Sequence, residues 1–145
     1  MNYLDIKLPG SDDSTYTLRD FLGKKIILYF YPRDNTSGCT LEAKNFTEYQ
    51  EAFKQKGYTI IGVSRDPVKS HKRFIEKQSL NLLLLSDLEE KLVKAFDVLK
   101  EKTLYGKKHI GIIRSTFIID EQGKIIKEYR KVSPKTHVTT LLGEL

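Results

Sequence analysis

One cysteine, Cys39, stands in 145 residues, so the chain can close no disulfide upon itself and cannot run a self-contained dithiol cycle. Such scarcity suits a reducing compartment. The Cys-x-x-Cys pair of a disulfide oxidoreductase is absent as well. Metal binding has little to draw on, because His71, His109 and His137 are far apart and none stands at a ligand-like spacing from Cys39. All three read as surface or partly packed residues. The longest apolar runs, Ile26 to Tyr31 and Leu82 to Leu85, are too short to cross a bilayer, so no membrane association is expected. Met1-Asn2-Tyr3-Leu4-Asp5 lacks the basic region and apolar stretch of a secretory signal, which makes a cytoplasmic location the expectation. No repeat or low-complexity tract is visible. The net charge of +6, from 25 Lys and Arg against 19 Asp and Glu, is spread along the chain without a basic block, so no nucleic acid partner is expected.

What the chain does have is a globular balance, 39% hydrophobic and 30% charged, over a length that suits one domain across residues 1–145. Lys25 to Tyr31 is rich in β-branched and aromatic residues without strict alternation, as in a central strand covered on both faces. From Gly38 to Gln55, Ala43, Phe46, Tyr49 and Phe53 recur at helical spacing, and Gly57 is a stop signal. Tyr58 to Ser64 reads as a second strand, so strand, helix and strand form a βαβ unit with a right-handed crossover. Pro67 to about Gln78 reads as a helix. Leu82 to Leu85 reads as a short buried strand, followed by a helix capped by Ser86 or Asp87 with Leu88, Leu92, Phe96 and Leu99 on one face. Ser115 to Ile119 and Lys124 to Arg130 predict a hairpin turning at Asp120 to Gly123, and Ser133-Pro134 opens a last helix with Val138, Leu141, Leu142 and Leu145 on one face. A small β-hairpin is expected around Tyr3 to Lys7 and Tyr16 to Leu18. The fold class is α/β, a mixed central sheet flanked by helices.

Cys39 falls where the first strand gives way to the first long helix. Ligands usually bind at the carboxyl ends of strands in open α/β sheets. A helix N-terminus also offers unpaired N–H groups and partial positive charge, which stabilise a thiolate over a thiol. A lone cysteine there reads equally as a nucleophile or as an inert small hydrophobe.

The surrounding residues carry a resemblance. Pro32-x-x-x-Thr36-x-x-Cys39 resembles the active-site signature of the peroxiredoxins, thiol-dependent peroxidases with a thioredoxin-like fold. Tyr29 to Pro32, Asp34-Asn35-Thr36, Gly38-Cys39-Thr40, Glu42-Ala43, Gly62-Val63-Ser64, Ser70-His71, Leu85-Ser86-Asp87, Tyr105-Gly106-Lys107 and Arg114 to Phe117 are similar to the bacterioferritin-comigratory, or Q-type, branch. Two positions depart from it. Ser37 stands where many members have proline, and Lys44 where many have a resolving cysteine.

The resemblance implies a peroxidatic Cys39 that attacks hydrogen peroxide or an organic hydroperoxide and becomes a sulfenic acid. It implies that Arg114 reaches the thiolate and the peroxide oxygens, that Thr36 hydrogen-bonds both, that Pro32 shields the sulfur, and that Glu42 holds Arg114 by a salt bridge. Thr36 is also placed to cap the helix. A cation is needed in any case. Taking a thiol of pKa about 8.5 to about 6 requires roughly 3.4 kcal/mol of preference for the anion, and a helix terminus supplies at most ~2. With no second cysteine, the sulfenic acid requires an external thiol such as thioredoxin, glutaredoxin or a small thiol. No cofactor is implied, since the redox equivalents pass through sulfur alone. A monomer is expected, with a weak dimer second. A peroxide sensor or thiol-transfer protein, and a non-catalytic thioredoxin-like binding module with an inert Cys39, remain as alternatives.

Overall fold

The computed structural model describes residues 2–145, and residues 102 and 104 by their backbone alone. The strand β3, Lys25–Phe30, is buried from its second residue onward and occupies the middle of a five-stranded sheet in the order β5-β4-β3-β8-β9. Its parallel neighbours are β4, Tyr58–Ser64, and beyond it β5, Leu83–Ser86. Its antiparallel neighbour is β8, Ser115–Ile119, which carries β9, Ile125–Arg130, at the edge. Alternation along β3 feeds two cores. Ile26, Leu28 and Phe30 join Ile61, Val63, Leu92, Phe96 and Phe117 on one face, while Ile27 and Tyr29 join Phe46, Phe53, Phe74, Val138 and Leu141 on the other. Each such side chain contributes roughly 1.5–3 kcal/mol by leaving water.

The second face is covered by three helices, α1 (Ser37–Gln55), α2 (Val68–Gln78) and α4 (His137–Glu144). α1 stops where Gly57 takes φ +88°, a conformation that suits glycine. The link from β3 through α1 to parallel β4 is the expected βαβ unit. No helix among the described residues is long and apolar enough to cross a membrane.

Several expectations need correction. The helix expected to present Leu88, Leu92, Phe96 and Leu99 on one face is only α3, Lys91–Ala95. Asp87 Oδ2 accepts from the amides of Leu92 and Val93 at 2.9 and 2.8 Å, but Glu90 and Asp97 at φ 61° and 54° turn the chain before and after that short helix. Leu88 is left 61% exposed. Leu99 instead opens β6, Leu99–Leu104, which pairs with β7, Lys107–Ile112, in a hairpin that the hydrophobic pattern does not signal. The N-terminal hairpin is present but shifted, as β1 (Leu8–Pro9) against β2 (Thr15–Tyr16). Tyr3–Asp5 is a 3-10 turn capped by Asn2, whose Oδ1 accepts from the Leu4 amide at 2.9 Å. α4 begins at His137 rather than at Ser133-Pro134, because residues 133–136 form a turn closed by Thr136 N to Ser133 O.

Candidate active site

Antiparallel pairing sets Ser115, the first residue of β8, beside Phe30, the last of β3. Arg114 therefore arrives at the carboxyl end of β3, where the chain turns into α1. Between them Asn35 adopts φ 62° and Thr36 returns to extended backbone as the N-cap of α1. Asparagine tolerates the left-handed region better than most residues. Cys39 lies in the first turn of α1, 1% exposed, and Glu42 follows one turn later, fully buried.

Arg114 joins the two. Its Nη1 donates to Glu42 Oε1 at 2.7 Å and its Nη2 donates to Cys39 Sγ at 3.3 Å. A guanidinium cation thus stands at hydrogen-bond distance from the sulfur. Gly38 is part of the fit, since a Cβ there would lie 3.1 Å from Arg114 Nη2 and 3.3 Å from Pro134 Cγ. Burial pushes the Glu42 carboxyl up to about 7, against the lowering pull of Arg114. Burial opposes the charge on Arg114, but Glu42 and Cys39 outweigh it and raise its pKa. Tyr29 is pushed well above the usual phenol range by burial first and by the charge of Glu42 second.

Thr36 and Pro32 flank this group on the loop after β3. The Thr36 hydroxyl donates to Arg33 O at 2.9 Å, so its side chain does not cap α1, contrary to expectation; the cap is its carbonyl, which accepts from Thr40 N at 2.9 Å. With its hydrogen so placed, Oγ1 is left as an acceptor. Pro32 is half-buried. Thus the structure brings Cys39, Glu42 and Arg114 into one hydrogen-bonded group, with Thr36 and Pro32 on the adjoining loop.

The loop itself is fastened from beneath by residues to which the sequence assigns no site role. His71 is not a surface or partly packed residue: it is fully buried, and so nearly is His137, which is 6% exposed. His71 Nε2 lies 2.9 Å from Leu85 O, which can only accept, so that nitrogen carries a proton. Its Nδ1 lies 2.7 Å from Asp34 Oδ2, which also accepts from Ser70 Oγ at 2.8 Å, while Tyr31 donates to Asp34 Oδ1 at 2.6 Å. The Asp34 amide in turn donates to Asp66 Oδ2 at 2.8 Å. Donor atoms of Asp34, Asp66 and His71 lie within 4.8 Å of one another, as in a metal site, but these hydrogen bonds already engage them. One signal was available. His71 shares a face of α2 with Phe74, one turn on, where a buried side chain is expected.

A cavity of about 690 Å³ lies at the opposite end of the sheet, lined by Lys24, Lys54, Tyr58 and Asn81, remote from the cysteine.

The chain matches the AhpC/TSA family over residues 2–128. Peroxiredoxin Bcp of Bacillus subtilis is 50% identical over 141 residues, covering 97% of this chain and 90% of that protein. The peroxiredoxin Bcp of Xanthomonas campestris is 43% identical over 141 residues, covering 97% and 88%. Among solved structures, the X. campestris bacterioferritin comigratory protein, described for its alkyl peroxide reduction activity, superposes with a TM-score of 0.93 at 42% identity, covering 98% of this chain and 90% of that one.

Proposed function

Since this chain belongs to the AhpC/TSA family and is a thiol-dependent peroxidase of the peroxiredoxin Bcp type, we propose that Cys39 is its nucleophile and that Arg114, Thr36, Pro32 and Glu42 complete the site. The observation that carries this reading is the Arg114 fork, one arm on Sγ and the other on Glu42. The Cys39 thiolate attacks the terminal oxygen of hydrogen peroxide or an organic hydroperoxide in line with the O–O bond. A sulfur–oxygen bond forms and the O–O bond breaks. The departing oxygen takes a proton and leaves as water or an alcohol, and Cys39 is a sulfenic acid. Arg114 and the amides of Gly38 and Cys39, which a first helical turn leaves without intrahelical acceptors, stabilise the charge that moves onto the peroxide. Thr36 Oγ1 accepts the peroxide hydrogen and so sets its direction. Pro32 keeps water from the sulfur.

Cys39 is the one cysteine, and position 44 holds lysine, so recovery runs through an external thiol. That thiol condenses with the sulfenic acid to release water and leave a mixed disulfide, which a second thiol reduces. Thioredoxin, glutaredoxin and small thiols are the reductants to assay. The chain acts as a monomer in the cytoplasm on this reading.

The test is the second-order rate constant of pre-reduced protein with hydrogen peroxide and with an alkyl hydroperoxide, measured by stopped flow beside Cys39→Ser. A reaction far faster than that of a free thiol, and lost in the serine variant, is the expected result. A rate no better than a free thiol with both peroxides would remove the assignment of this site.

A further inference from the structure

Arg114 is one cation facing two acids, and they are not equally provided for. Glu42 Oε1 receives Arg114 Nη1, whereas Glu42 Oε2 is buried with no hydrogen-bond partner. An ionised carboxylate presents about four lone-pair sites, and leaving one of its oxygens bare in the interior is costly. A carboxylic acid carries its proton there at less cost. The phenol of Tyr29, the other titratable group that β3 turns toward Glu42, is itself buried and unpartnered, and it adds no positive charge. On α4, His137 is kept neutral by burial, its pKa lowered to about 4. Asp34, on the loop after β3, is engaged by His71, Tyr31 and Ser70. Arg114 is thus the one cation that faces Glu42 among these groups, and Cys39 is bonded to it as well.

We infer that Cys39 and Glu42 hold one proton between them opposite Arg114, so that the thiolate forms with that proton on Glu42 and Glu42 yields it as the sulfur is oxidised. This rests on the peroxidase reading of the site and adds a role for Glu42 beyond holding Arg114. The balance closes. A thiolate, a carboxylic acid and a hydroperoxide become a sulfenic acid, a carboxylate and an alcohol, with two hydrogens and one negative charge on each side. Sulfur is oxidised and the O–O bond reduced, and the buried group keeps the same net charge throughout. The upward displacement of the Glu42 carboxyl to about 7 agrees with such sharing.

The experiment counts protons in a single turnover. Pre-reduced wild type and Glu42→Gln, which keeps an acceptor for Arg114, are mixed with stoichiometric hydrogen peroxide near neutral pH in weak buffer with an indicator dye. Thiol loss is counted separately after quenching. In parallel, difference infrared spectroscopy follows the carbonyl stretch of a protonated carboxyl. Wild type is expected to take up close to no proton per thiol lost and to lose a carboxylic acid band on oxidation. Glu42→Gln is expected to take up about one proton per thiol and to lack the band. Uptake of a whole proton by wild type, or no such band in the reduced protein, would overturn the inference while the peroxidase reading stood. Failure of both proteins to lose thiol would overturn the peroxidase reading itself, and the proton transfer with it.

Discussion

At the scale of single residues, Arg114 is the side chain that joins Cys39 to Glu42, and the proposed chemistry turns on it. Removing its guanidinium takes a hydrogen bond from Sγ and leaves the buried Glu42 carboxyl without its one donor. Arg114→Ala is therefore expected to lower the peroxide rate constant by about 10²–10³-fold, the scale of a lost oxyanion donor, with the far-ultraviolet spectrum unchanged. A rate near wild type would remove its assigned role. Arg114→Lys should recover little, because an ammonium cannot bridge sulfur and carboxyl group as a planar fork does. At Thr36 the proposed role falls to the hydroxyl oxygen, since its hydrogen is held by Arg33 O. Thr36→Ser should retain far more activity than Thr36→Val, and equal losses would point to packing rather than to the acceptor. The same scale shows what sequence could and could not reveal. Cys39, Thr36, Arg114, Pro32 and Glu42 were nameable from the strings they share with a family, but a helix-junction cysteine alone left reactive and inert readings open. His71 reads from sequence as a surface or partly packed residue because its partners, Asp34 and Leu85, are brought to it only by the folded chain.

Elements were legible where one pattern ran unbroken. β3 and β4 are continuous runs rich in β-branched and aromatic residues and α1 keeps helical spacing, and their limits fall within a residue or so of expectation. The stretch from Leu88 to Leu99 misled because its apolar residues keep helical spacing through Glu90 and Asp97, two non-glycine residues with positive φ that carry no glycine to announce the turns. β6 and β7 pair mostly exposed, charged residues, so no alternation marked them. Two predictions belong to these elements. In β4, a Cβ on Gly62 would lie 2.7 Å from Leu84 Cδ2 and 2.8 Å from Tyr29 Cζ. Gly62→Ala is expected to cost about 1–3 kcal/mol in chemical denaturation and, by displacing Tyr29 beneath the site, to slow the peroxide reaction as well. At the start of α4, burial lowers His137 to about 4, and a helix N-terminus also disfavours a cation. The unfolded chain then binds the extra proton between pH 6.5 and about 4, so stability is complete above that window and is lost as pH falls through it, by up to about 3 kcal/mol. His137→Gln should flatten that part of a Tm-against-pH curve, and an unchanged slope would show that the imidazole does not govern it.

At the scale of the whole molecule, the sheet brings together groups from distant parts of the chain, with Cys39 and Glu42 on α1 and Arg114 more than seventy positions later at the head of β8. That arrangement leaves Cys39 with 1% exposure. A peroxide is small enough to reach such a sulfur through a narrow approach, whereas a thiol carried by another protein brings a whole surface with it. Reduction of preformed sulfenic acid by thioredoxin should therefore level off as thioredoxin concentration rises, at the rate with which the first turn of α1 opens; a strictly linear dependence would mean that the closed site is met directly. With no partner cysteine in the chain to draw the oxidised sulfur outward, closure also sets a deadline. If reduction does level off in that way, every moment spent shut offers the sulfenic acid to the next peroxide and hides it from its rescuer, and the tempo of one helical turn would then set how many turnovers a molecule completes before its cysteine is lost to sulfinic acid.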